Sequence, residues 1–227
     1  MRQALYDCGL SGSLAGTRLP DLLARFLKAG IVGTTLLLAG AAQGNTPDTL
    51  PAQAPAIGKE GDAKPVSAWV RFCERYAEEC GVDVSEPRTI DLTPDIWQTI
   101  TAVNRRVNTR IKPMTDQAHF GVVDNWDFPD DGLGDCEDYQ LLKRRMLVER
   151  GLPRRAMRMT VVIDETNEGH AVLMIRTDRG DFILDNKTNV VLPWDQTGYL
   201  YIKREGQEGR AWVSLGGVTS PTATANR

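Results

Sequence analysis

The chain has little histidine and little cysteine, two of the first and four of the second in 227 residues. Neither type is clustered, so the pattern does not suit a zinc centre. No stretch gathers basic and aromatic residues as a nucleic-acid footprint requires, and the formal net charge of −3 implies only solubility. Long hydrophobic runs are missing too. The apolar, uncharged stretch AGIVGTTLLLAGAA (29–42) is too short for a comfortable membrane span. There is no internal repeat.

That short stretch has a second meaning. Arg25 and Lys28 precede it, and Gly40 and Ala42 are the small residues of a signal-peptidase site. Residues 1–42 are therefore expected to be a leader and signal peptide, with an uncleaved anchor or a buried helix as the alternatives. The lead before the signal is long, and MRQALYDCGLSGSLAGTRLP shows no sustained periodicity, as an upstream extension from a misassigned start codon would. The mature protein is then periplasmic or secreted, with no membrane span.

Export gives the cysteines a division of labour. Cys8 leaves with the leader, and Cys73, Cys80 and Cys136 remain. In an oxidising compartment three thiols divide into one bridge and one left over. Cys73 and Cys80 are the expected pair, against the alternative of two separately buried thiols. Seven residues of straight helix rise about 10.5 Å, too far for a disulfide, so a helix there must end near Glu78–Glu79.

Residues 43–65, rich in Pro, Ala and Gly, read as a flexible lead-in, and 216–227 as a disordered tail. One domain is expected over 66–215. A short helix begins near Ser67, with Trp69, Phe72, Cys73 and Tyr76 at helical spacing. A second begins at Thr93-Pro94, where Thr is an N-cap and Pro fits the first helical position. A third runs over about 136–150, with Lys143, Arg144, Arg145 and Arg150 read as a solvated face. Beyond 155 the pattern turns to period two. Strands are expected at 157–164, 169–176, 181–185, 189–192, 198–204 and 210–215, with a hairpin turn at Asp178-Arg179-Gly180. Helices first and an antiparallel sheet second make an α+β domain.

Cys136 sits where a glycine-rich turn becomes a helix, in GLGDCEDYQ (132–140). By itself it is a nucleophile, a metal ligand or a buried thiol. A thiolate nucleophile needs a base close by and a third group to orient that base. A hairpin turning at 178–179 sets His170 opposite about residue 187, so Asp185 is its diagonal neighbour on the same face. Cys136, His170 and Asp185 are the candidate catalytic residues, and His119 receives no role.

GDCEDYQLLKRRML (134–147), followed by GHAVLMIRTDRGDFILDN (169–186), resembles the bacterial transglutaminase-like cysteine proteinase family. The leading FCERYAEEC segment and the VDNWDFP loop share the likeness. The resemblance implies a papain-like, transglutaminase-like core with Cys136 as nucleophile, His170 as general base and Asp185 as orienting acid. It also implies calcium dependence, with Asp135, Glu137 and Asp138 as ligands. Among such relatives are periplasmic adhesin proteases of the Lap type, so the implied partners are a surface adhesin as protein substrate and an inner-membrane receptor responsive to cyclic-di-GMP. Acyl transfer to an amine, as in a transglutaminase or amidase, is the alternative within enzymes. A calcium-responsive binding module without catalysis is the alternative outside them.

Charge arithmetic bears on the calcium. A carboxylate roughly 6 Å from a thiolate, at an effective dielectric of about 20, opposes it by about 3 kcal/mol, or some two pKa units. A helix N-terminus returns about 0.3–1 kcal/mol. Without a cation the acids win. Asp124, Asp127, Asp130, Asp131, Asp135, Glu137 and Asp138 fall in one window with no basic residue, hard oxygen donors suited to calcium. The register does not fit an EF-hand, since Pro129 occupies a ligand position. The competing reading is that these acids cap the helix and solvate a loop.

Overall fold

The structure, a computed structural model, describes residues 49–219. The leader, its signal and Cys8 lie outside the described residues. Helix α1 spans Ser67–Arg75, α2 Pro94–Arg110 and α4 Cys136–Val148, with a single turn, α3, at Asp116–His119. Thr93 caps α2 through its side chain, which accepts from the Ile96 amide at 3.3 Å, and Pro94 follows at the first helical position. After Arg75 the chain leaves α1 and makes a 3-10 turn at Ala77–Glu79. That turn brings the Cα atoms of Cys73 and Cys80 to 5.6 Å, and the two are joined by a disulfide.

The strands are β1 (Gly61–Ala63), β4 (Met157–Ile163), β5 (Gly169–Thr177), β6 (Gly180–Leu184), β7 (Leu192–Pro193), β8 (Leu200–Glu205) and β9 (Trp212–Thr219). They form one antiparallel sheet in the order β1-β9-β8-β4-β5-β6-β7. A two-residue parallel pair, β2 (Lys112–Pro113) with β3 (Leu133–Gly134), stands apart from it. The fold is α+β. No helix among the described residues is long and apolar enough to cross a membrane.

The helices cover one face of the sheet. Phe72, Ile100, Val107, Leu141 and Leu147 pack there against Met159, Leu173, Ile175 and Phe182. Each large side chain so buried contributes about 1.5–3 kcal/mol. The opposite face carries a second cluster, Val162, Val172, Met174, Ile183, Tyr201 and Leu215, closed by Ile57 and Trp194. Burial along β4 and β5 is therefore nearly continuous.

Three expectations are corrected here. The described part of the lead-in is not free of the core. Ile57 is buried, β1 pairs with β9, the Ile57 amide donates to Asp181 at 2.9 Å, and the Trp194 indole donates to the Pro55 carbonyl at 3.0 Å. One apolar anchor and backbone pairing suffice to hold a segment whose composition reads as loop. The tail expected from 216 begins later, because β9 continues to Thr219. Lys143 and Arg144 are fully buried rather than solvated, while Arg150 is exposed. Arg144 pairs with Glu205 of β8 at 2.6 Å, and that carboxylate also accepts from the Trp69 indole at 2.6 Å and the Met159 amide at 2.9 Å. Charge-assisted bonds of this kind pair Arg144 with Glu205 and fasten α4 and α1 to the sheet.

Glycine is required at the β5–β6 turn. Gly180 has φ +114°, and a Cβ there would run into the Ala54 carbonyl, whose chain crosses the turn.

Candidate active site and acidic cluster

Cys136 is the first residue of α4 and is buried against β5, where the Ala171 amide donates to its Sγ at 3.3 Å. Gly134 leaves room for the turn that starts this helix. A Cβ at that position would lie 2.8 Å from the Asp138 side chain, which turns back to accept from the Asp135 amide at 3.4 Å. The spacing of Gly134, Asp135 and Asp138 is thus that of a tight N-terminal capping box, in which the third helical residue satisfies the cap's own N–H.

His170 is the second residue of β5. Leu173 pairs with Leu184 across the β5–β6 hairpin, which extrapolates to His170 opposite residue 187, as the turn position led to expect. Strand β6 ends at Leu184, and the next residue, Asp185, turns its Oδ1 to within 2.9 Å of His170 Nε2. Both side chains are almost wholly buried. Facing a carboxylate, Nε2 carries the proton and Nδ1 is left with the lone pair. Nδ1 is buried and has no hydrogen-bond partner among the described residues.

Asp185 is held from three sides. Oδ1 also accepts from the Lys187 amide at 3.0 Å, and Oδ2 accepts from the Tyr199 hydroxyl at 2.6 Å. The Tyr199 ring stands edge-on to the imidazole, with centroids 5.7 Å apart. Asn108 of α2 donates to the Asp185 carbonyl at 2.8 Å. Burial works against the carboxylate's charge, yet the His170 bond and charge, the Lys187 amide and the Tyr199 hydroxyl outweigh it and hold the group below the usual carboxylate range. The same arrangement pushes the Tyr199 hydroxyl well above its usual range, burial first and the Asp185 charge second. Tyr199 and Asn108 have no signal in the sequence that marks them for this site.

Cys136 and His170 line one cleft, together with Asp124, Glu137 and the apolar walls Val66, Trp126 and Val161. Trp126 is buried and packs on Trp212 at a centroid distance of 6.4 Å, so it is both wall and core. His119 lies elsewhere, paired with Asp131 at 2.8 Å and stacked on Phe120.

The acids divide by position. Ligand atoms of Asp116, Asp135 and Glu137 all lie within 4.8 Å of one another, and all three residues are buried. Asp116 falls outside the acidic window of the sequence. The β2–β3 pair carries it there by closing the 114–132 loop at its base, with the Met114 amide donating to the Gly134 carbonyl at 2.9 Å and the Asp116 amide to Asp135 Oδ2 at 3.3 Å. Glu137 Oε2 lies 3.2 Å from the Cys136 sulfur. Asp138 is not within the trio; its oxygens accept from the Asp127 and Asp135 amides.

Burial, and then the charge of Asp135, pushes Asp116 up to about 7. Asp124 and Asp135 are raised and Glu137 and Asp138 raised well above the usual carboxylate range, burial being the largest cause at each. Asp135 Oδ1 is buried with no hydrogen-bond partner among the described residues. Crowded buried carboxylates with an orphaned oxygen fit a hard divalent cation bound through oxygen.

The family model described as bacterial transglutaminase-like cysteine proteinase matches residues 59–220. Among solved structures, calcium-bound LapG of Legionella pneumophila is 26% identical with a TM-score of 0.47, covering 56% of this chain and 73% of that one. Another structure of Legionella pneumophila LapG is 22% identical with a TM-score of 0.46, covering 71% and 88%. An EGTA-treated form is 23% identical with a TM-score of 0.46, covering 66% and 80%. Comparison with curated proteins returned no match.

Proposed function

This chain belongs to the bacterial transglutaminase-like cysteine proteinase family and is a cysteine peptidase, and on that premise we propose that it is an exported endopeptidase working through Cys136, His170 and Asp185. The observation that carries the proposal is the buried His170–Asp185 hydrogen bond at 2.9 Å beside the helix-start cysteine. His170 Nδ1 takes the thiol proton, and the Cys136 sulfur attacks the peptide carbonyl carbon. The imidazolium then gives its proton to the leaving amine, and a thioester remains. Water, deprotonated by the same imidazole, releases the acid product and restores the thiol. Asp185 fixes the tautomer and stabilises the imidazolium without taking the proton. Amides at a helix start are suited to an oxyanion, which gives that role to the Cys136 N–H.

Asp116, Asp135 and Glu137 would hold a calcium ion, with Asp138 adjoining them as the residue that braces the turn. When bound, the ion supplies the positive charge that reverses the local field around the sulfur. Calorimetric titration of the metal-free protein reads this without reference to activity: Asp135→Asn and Glu137→Gln each weaken calcium binding at least ten-fold. Equal binding by both variants would remove calcium from this site.

The Cys73–Cys80 disulfide and the apolar run 29–42 support a periplasmic or secreted location. The substrate is a protein, and we assign it to the cell-surface adhesins, with an inner-membrane receptor as the holding partner. Terminal sequencing of surface fragments from cells carrying wild type and Cys136→Ala tests the assignment. A cut adhesin present only with the wild type is expected. Identical fragments would overturn it, and amine incorporation into a glutamine peptide without backbone cleavage would favour acyl transfer.

A further inference from the structure

Another cleft, of ≈ 390 Å³, opens on the sheet face away from the helices. Arg176 lines it, six residues and about 20 Å along β5 from His170. Arg204 of β8 lines it as well. The register sets Arg204 beside Thr160 and Thr160 beside Val172, so both arginines lie on the face of Val172 and Met174. Exposed charges complete the lining: Lys59, Arg88, Asp62 and Glu208. Arg204 is the outlier among the buried arginines. Arg144 and Arg155 meet carboxylates, and Arg158 meets three backbone carbonyls. The relative exposure of Arg204 is 4%, its Nη1 donates to the Glu205 carbonyl at 3.0 Å, and its Nε is buried with no hydrogen-bond partner among the described residues. Asp181 does not serve it, being bonded to Arg176 at 3.2 Å and to the Ile57 amide at 2.9 Å.

We propose that this cleft binds a small oxyanion, a phosphate or carboxylate group held side-on by the Nε edge of Arg204 with Arg176 beside it. A guanidinium presents parallel N–H bonds along its Nε–Nη2 edge, spaced to meet two oxygens of such a group. On Arg204 this is the edge left over, since Nη1 is turned to the Glu205 carbonyl. Arg176 is bonded through Nε to Asp181 and through Nη1 to Gln207 at 2.6 Å, which leaves its own Nη2 over. A water could satisfy the Nε–H but not the charge, and a buried charge without a counter-ion is costly; an anion answers both. Burial, and then the charge of Arg176, presses Arg204 down to about 10, a pressure that a bound anion relieves. The acids of the lining do not cancel the site. Glu208 is held by Arg88 at 2.8 Å and Arg155 at 3.0 Å, and Asp62 is exposed, where water and salt screen it. The volume is that of a small-molecule pocket.

The test is calorimetric titration of the full chain with inorganic phosphate and, separately, with succinate, in calcium-free buffer at about 0.15 M salt. The wild type should bind at least one of the two at a single site. Arg204→Met, which keeps a long side chain and removes the charge, should bind it at least ten-fold more weakly. Arg204→Lys, which keeps the charge and loses the planar edge, should also bind more weakly than the wild type. Replacing an unpaired buried cation with an apolar group favours folding, so the melting temperature of Arg204→Met in chloride alone should equal or exceed that of the wild type. The anion that binds should raise the wild-type melting temperature and leave that of Arg204→Met where it was. Binding of phosphate without succinate assigns the site to phosphoryl ligands, and the reverse assigns it to carboxylates. Binding of neither by the wild type overturns the proposal, as does equal binding by the wild type and Arg204→Met. Should Arg204→Met fail to fold, equal binding by Arg204→Lys and the wild type overturns it instead.

Discussion

The Tyr199 hydroxyl donates to Asp185 Oδ2 at 2.6 Å, while the ring of the same tyrosine stands edge-on to His170. One side chain thereby touches both the carboxylate and the imidazole of the proposed pair. A hydrogen bond to a charged group contributes about 1.5–3 kcal/mol. Tyr199→Phe keeps the ring and loses the bond, so kcat/KM should fall about ten-fold with KM little changed. Steady-state kinetics on a peptide substrate checks this; an unchanged kcat would show that the hydroxyl serves only packing.

Asp116 should matter to calcium as much as Asp135 does, although it lies well outside the acidic window. In metal-free protein the Asp116→Asn change relieves repulsion among buried carboxylates and should raise the melting temperature. Saturating calcium should stabilise the wild type by about 2.7 kcal/mol at a hundred-fold excess over Kd, and the variant by much less. Thermal melts with and without chelator measure both. Equal calcium stabilisation of the two proteins would exclude Asp116 as a ligand.

Acid stability should depend on Asp164. Burial opposes its charge, but the Lys187 ammonium at 2.6 Å, the Glu168 and Thr166 amides and the Thr166 hydroxyl outweigh that and bring it down to about 2. A carboxylate depressed in the folded state stabilises the fold above its unfolded value near 4, and that contribution is lost as pH falls through 2. Denaturant titrations between pH 5 and 2 should show the wild type losing stability more steeply than Asp164→Asn. Parallel slopes would contradict the assignment.

Much of this was legible in the residues. The hairpin turn at 178–180 set the register that joins His170 to Asp185, and Thr93-Pro94 marked the start of α2, because turn and cap chemistry are local. What could not be read depends on contacts distant in the chain. Lys143 and Arg144 look solvated on a helical wheel; Arg144 is buried because Glu205, 61 residues away, answers its charge. Asp116 joins Asp135 through a parallel pairing only two residues long, which leaves no periodic trace. The stretch around Ile57 reads as loop by composition and is held by backbone partners on β9 and the side chain of Asp181.

The activation of Cys136 is open to direct measurement as the rate of its alkylation by iodoacetamide in reduced protein, followed against pH with calcium present. An imidazole held by Asp185 beside the thiol should make the rate at neutral pH at least ten-fold faster than that of a simple thiol, and His170→Ala should abolish the difference. A wild-type rate equal to that of a simple thiol, unchanged by His170→Ala, would contradict the assignment of Cys136 as the nucleophile.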